Sequence, residues 1–134
     1  MMYNEQIMNE FFNPQNVGVI KGASGKGKTV SEKDTEIMKI YIQVEGDKIV
    51  NAMFQTFGCV VAIAATSVAT RLIIGKTLEE ANAITGKDII NELGGKVPDN
   101  KRHLVEMAVE TVYDAVKSYE RKQKGEKVKD EDDD

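Results

Sequence analysis

Apolar residues fall at 3, 7, 8, 11 and 12 in the opening segment from Tyr3 to Phe12, a spacing that predicts a short amphipathic helix. Asn13-Pro14 and Asn16-Val17-Gly18 supply the turn residues that end it. Further on the period changes to two. Ile37 to Val44 alternates, Glu45-Gly46-Asp47 makes a turn, and Lys48 to Phe57 returns, which predicts a β-hairpin. After Gly58-Cys59 the run VVAIAATSVATRLIIG is apolar almost all round, the pattern of a buried helix, with Gly75 placed to stop it. Thr77 and Glu80 have the spacing of a capping box for the next helix. A short helix is expected over Asp88 to Leu93, closed by Gly94-Gly95. From Pro98 to about Gln123, apolar residues at 104, 105, 108, 109, 112, 115, 116 and 119 predict a long amphipathic helix, with Pro98 suited to its first turn. A small antiparallel sheet followed by a run of helices is an α+β arrangement.

Composition narrows the class without changing this plan. A chain of 134 residues can bury one core. The expected division is a single domain over residues 1–122 and a charged, disordered tail over 123–134, which ends in KGEKVKDEDDD. The formal net charge of −4 argues against general affinity for nucleic acid or for an anionic membrane. No apolar run is long enough to span a bilayer, and MMYNEQIMNEFF lacks the basic start of a signal peptide. The single cysteine forms no internal disulfide and suits a reducing compartment, so a cytoplasmic location is the expectation.

Two stretches carry candidate chemistry. Residues 22–29, GASGKGKT, satisfy the G-x-x-x-x-G-K-[ST] pattern of a phosphate-binding loop. Such a loop needs a buried strand before it and a helix after it, whose amides hold the phosphates. NVGVIK is too short and polar for that strand, and VSEKDTEIMKIYIQV leads into a strand by Ile42. The expectation is therefore a glycine- and lysine-rich connection between strands, not a nucleotide site. In TFGCVVAIAATS, Cys59 follows a glycine at a strand–helix junction, where helix amides favour a thiolate. Packing as a small hydrophobe is the alternative.

The order of several motifs resembles the IscU/NifU N-terminal family. The matching residues are Asn13-Pro14-x-Asn16-Val17-Gly18, the strand Met38 to Val44, Phe54-x-Thr56-Phe57-Gly58-Cys59, Ala62-Ile63-Ala64, Gly75-Lys76-Thr77-Leu78-Glu79-Glu80-Ala81 and Lys101-x-His103. The resemblance covers residues 3 to 120. It implies a scaffold on which iron–sulfur clusters are assembled, not an enzyme, with a small antiparallel sheet and helices mainly on one face. It also implies partners among iron–sulfur assembly proteins, a cysteine desulfurase above all, or a second copy of the chain. The family's three cysteines stand in C-G-D, in F-G-C and directly after K-x-H. Here the first motif falls on Asp34-Thr35-Glu36, the second keeps Cys59, and the third cysteine position is Leu104. The family stretch L-P-P-V-K falls on Val97-Pro98-Asp99-Asn100-Lys101. The resemblance thus implies Asp34, Glu36, Cys59 and His103 as metal ligands. One sulfur, one nitrogen and carboxylate oxygens suit a single zinc or iron ion better than an intact [2Fe–2S] cluster, which is usually held by thiolates. The competing expectation is a cofactor-free adaptor or regulator that keeps the fold and binds assembly partners.

Overall fold

The computed structural model describes residues 3–32 and 35–125. Helix α1, Glu5–Phe12, starts where the Asn4 side chain accepts the Ile7 N–H at 2.8 Å. The expected hairpin is present as β2, Ile37–Glu45, and β3, Lys48–Phe57, with Gly46 at φ +67° in the turn and an irregularity between Gln43 and Val44.

A third strand lies where a connection was expected. Gly25–Val30, the second half of GASGKGKT, forms β1 and pairs antiparallel with β2 along Gly25↔Ile42 to Val30↔Ile37. The sheet order is β1-β2-β3. Two inward positions of β1, 25 and 27, are glycines because α5, Arg102–Gln123, presses its backbone against the strand. A Cβ at Gly25 would run into the Ala115 carbonyl oxygen, and one at Gly27 into the Thr111 carbonyl oxygen. The strand alternates glycine with lysine instead of apolar with polar, so period-two hydrophobicity does not report it.

The outer edge of β1 is closed by side chains of α5. The Lys26 N–H donates to Ser118 Oγ at 3.3 Å and the Lys28 N–H to Asp114 Oδ2 at 2.9 Å. The Thr29 and Thr111 hydroxyls meet at 2.6 Å. These bonds satisfy amides that an edge strand otherwise leaves open to pairing. At the other edge, Phe54 N donates to Asn16 O and Gly18 N to Phe54 O, both at 2.9 Å. Residues 19–24 therefore carry the chain from one edge of the sheet to the other.

The buried helix is α2, Val60–Ile73, with Gly75 at φ +87° just past its end. Helix α3, Leu78–Ala81, has the Thr77/Glu80 capping box. Helix α4, Gly86–Glu92, begins two residues before its expected start because Thr85 and Asp88 form a second box. A 3-10 turn over Asp99–Lys101 precedes α5, so the α-helix starts later than Pro98. Met38, Ile40, Ile42, Ala52 and Phe54 of the sheet share one core with Val61, Ala65 and Val68 of α2 and Leu104, Ala108 and Val112 of α5. Arg71 ties α1 to α4 across α2 through Glu10 at 3.0 Å and Glu92 at 2.9 Å. No helix among the described residues is long and apolar enough to cross a membrane. The expected tail from residue 126 onward, like Asp34, lies outside the described residues.

Candidate functional site

Three connections meet at one end of the sheet: the β1–β2 loop, the β3–α2 junction and the start of α5. Contact between the first two is direct, since a Cβ at Gly58 would lie 2.7 Å from Glu36 Cγ. Gly58 sits at φ +154°, so both its backbone and its lack of a side chain suit the position. The third joins through charge, because His103 and Lys101 both help to stabilise the Glu36 carboxylate.

The β1–β2 loop is braced by its first residue. Ser31 Oγ accepts the N–H groups of Thr35 at 3.1 Å and Glu36 at 3.0 Å, while the Ser31 N–H donates to Glu36 O at 2.9 Å. The Thr35 hydroxyl donates to Glu36 Oε1 at 2.8 Å. That bond is the main reason the Glu36 carboxyl is held below its ordinary value, with Ser31, His103 and Lys101 adding and partial burial opposing. Because folding lowers this value, the stabilisation is complete above the ordinary carboxylate range and is lost as the pH falls through the lowered value. Thr35→Ala is expected to return the Glu36 carboxyl toward the ordinary range, followed by carboxyl carbon-13 NMR titration. An unchanged titration would mean that the hydroxyl does not hold the carboxylate.

Cys59 is a free thiol at the N-cap position of α2, with extended backbone at φ −83° and ψ 179°. Its side chain makes no capping hydrogen bond and packs in part against the core while remaining partly exposed. Cys59 thus has a helix-start position and partial apolar packing together. His103 is exposed in the first turn of α5, whereas its neighbour Leu104 is fully buried in the core.

Glu36 and His103 line one open cleft of about 580 Å³ between the loop and α5. Ser31, Thr35, Glu106, Met107 and Glu110 also line it. Sequence reasoning did not single out Ser31, Thr35, Glu106 or Glu110 for this cleft. Their signal was partly available: 103, 106, 107 and 110 share one face of a 3.6-residue helix. Glu36 and His103 line the same cleft, and Cys59 follows Gly58, which packs against Glu36. Among the described residues, no three His, Cys, Asp or Glu side chains are grouped so as to hold a metal ion.

The model of the NifU-like N terminal domain matches residues 2–126. The chain belongs to that family. The iron-sulfur cluster assembly scaffold protein IscU 1 of Archaeoglobus fulgidus is 40% identical over 121 residues, covering 90% of this chain and 78% of that protein. The iron-sulfur cluster assembly scaffold protein IscU of Aquifex aeolicus is 40% identical over 123 residues, with the same two shares. The nitrogen fixation protein NifU of a Nostoc species is 38% identical over 125 residues, but only 41% of that longer protein is covered. The crystal structure of FiSufU from Fervidobacterium islandicum AW-1 matches with a TM-score of 0.71 at 25% identity, over 87% of this chain and 97% of that one. The N-terminal NifU-like structure from Brucella abortus shares the fold, with a TM-score of 0.77 at 16% identity over 90% and 96% of the two chains. The α+β architecture and the relation to IscU and NifU expected from the motifs are thus established.

Proposed function

We propose that this family member is an iron–sulfur cluster assembly scaffold-like protein that holds iron, its cargo, through a residual mononuclear site or as a labile cluster. The observation that carries this is the match to IscU scaffolds over nine-tenths of the chain, 40% identical to them. The cleft beside Glu36 and His103, with Cys59 just beyond Gly58, supports the placement of the site. Asp34, the fourth candidate ligand, belongs to the same β1–β2 loop in sequence. The donor chemistry favours one zinc or iron ion over an intact [2Fe–2S] cluster, because Cys59 is the only thiolate the chain can offer. A cysteine desulfurase is the expected partner, in the cytoplasm.

Metal analysis of anaerobically purified protein tests the proposal. The expected result is bound iron or zinc that falls by at least about tenfold in occupancy-weighted affinity in Cys59→Ala, as loss of a direct ligand should exceed loss of a supporting contact. Metal-free protein that also shows no absorbance change with iron and sulfide under anaerobic conditions would overturn it.

Two observations favour a second reading. The described residues hold no three-donor group, and Leu104 is fully buried at the family's third cysteine position. A cofactor-free adaptor that binds assembly partners would show both. Capture of a cysteine desulfurase that is unaffected by Cys59→Ala, from protein without metal, would select that reading over the first.

A further inference from the structure

The contacts between α5 and β1 run in register toward the candidate site. Ser118 holds the Lys26 amide, Asp114 holds the Lys28 amide, and Thr111 meets Thr29. Positions 118, 114, 111, 107 and 103 are separated by four, three, four and four residues, so they form one stripe along the helix. The strand moves one way as the helix moves the other. Beyond Thr29, Val30 and Met107 both line the cleft, and beyond those come Glu36 and His103.

We infer that Asp114 is a positioning residue: its bond to the Lys28 amide fixes how far α5 is shifted along β1, and that shift sets where His103 stands on the cleft it shares with Glu36. The inference rests on the proposed site but not on whether metal occupies it. Three features make the coupling rigid. The carboxylate–amide bond is the shortest of the amide contacts, at 2.9 Å, and hydrogen bonds to an ionised acceptor are the stronger kind. The glycines opposite it bring the two backbones into contact, so there is no flexible side chain between them to absorb a slip. The helix between 114 and 103 is continuous, about 16 Å at 1.5 Å per residue, and carries a displacement at one end to the other. Asp114 bonds to the Lys28 amide and lies outside the cleft lining, so it acts on the candidate ligands only through the helix.

The test uses metal-free protein, so that failure of the metal proposal and failure of this inference are separate. Asp114→Ala removes the acceptor, Asp114→Asn keeps one, and Val68→Ala opens a cavity in α2 as a control for general loosening. Two quantities are read by NMR: hydrogen exchange at the Lys28 amide, and the amide resonances of Glu36 and His103. Asp114→Ala is expected to speed Lys28 exchange by at least about tenfold and to shift Glu36 and His103. Asp114→Asn should restore both readouts, and Val68→Ala should leave both near the parent protein. The inference is overturned if Lys28 loses protection while Glu36 and His103 stay in place. It is equally overturned if Lys28 keeps its protection in Asp114→Ala, or if Val68→Ala moves the two residues as far.

Discussion

Gly27→Ala is expected to cost about 3 kcal/mol, lowering the thermal midpoint by roughly 10 °C for a chain of this size. The added methyl would run into the Thr111 carbonyl oxygen and stand 2.7 Å from the Ala115 nitrogen. Both atoms belong to the α5 backbone, so neither can turn aside as a side-chain tip would. Relief requires β1 to lift from the helix, which strains the Ser118 and Asp114 bonds to its amides. Gly22→Ala is the informative comparison. Nothing lies within 4 Å of a Cβ there, but the backbone is at φ +66°, so the expected cost is about 1 kcal/mol of backbone strain. The phosphate-loop pattern treats these two glycines as equivalent, whereas the fold uses one for a turn and the other for close packing. Paired thermal and urea unfolding of the two variants measures the difference. Equal costs would mean that α5 does not press on the strand as described.

Leu104→Ala should also destabilise by about 3 kcal/mol, while His103→Ala should stay within about 0.5 kcal/mol. Leu104 is fully buried among core residues of the sheet and α2, and its truncation leaves a cavity that backbone-anchored neighbours cannot fill. His103 is exposed at the cleft and supports no packing of that kind. Adjacent residues thus serve the core and the site separately. Where the resemblance puts the family's third cysteine, this chain has a buried core leucine. Urea unfolding of both variants is the check, and a Leu104→Ala cost below about 1 kcal/mol would show that the position is not packed as the structure has it.

Legibility in the sequence followed the physics of each element. The hairpin was readable because Met38, Ile40 and Ile42 face the core at every second position, and Gly46 marks the turn. Helix α5 was readable because Leu104, Val105, Ala108, Val112, Ala115 and Val116 repeat at helical spacing. Boundaries were less visible. Thr85 with Asp88 is a capping box whose short acidic partner is a weaker signal than Thr77 with Glu80, and α4 accordingly began earlier than expected. Within the candidate site, the motif around Cys59 identified the strand–helix junction correctly. The brace by Ser31 and the bond from Thr35 could not be read, since serine and threonine in a loop carry no periodic mark.

By itself the sequence determined the hairpin, the buried helix after Cys59, the long final helix and, through its ordered motifs, the family. Those features are local: each records which face of one segment is buried, or which residue a cap or turn demands. Only the tertiary structure decided that GKGKTV is a strand and that Ser31, Thr35 and Glu36 share a cleft with Glu106 and Glu110. Both depend on α5, which is remote in the chain from each of them. A glycine required by a neighbouring backbone leaves no hydrophobic side chain to reveal it, and loop residues that share a cleft with a distant helix leave no spacing to count.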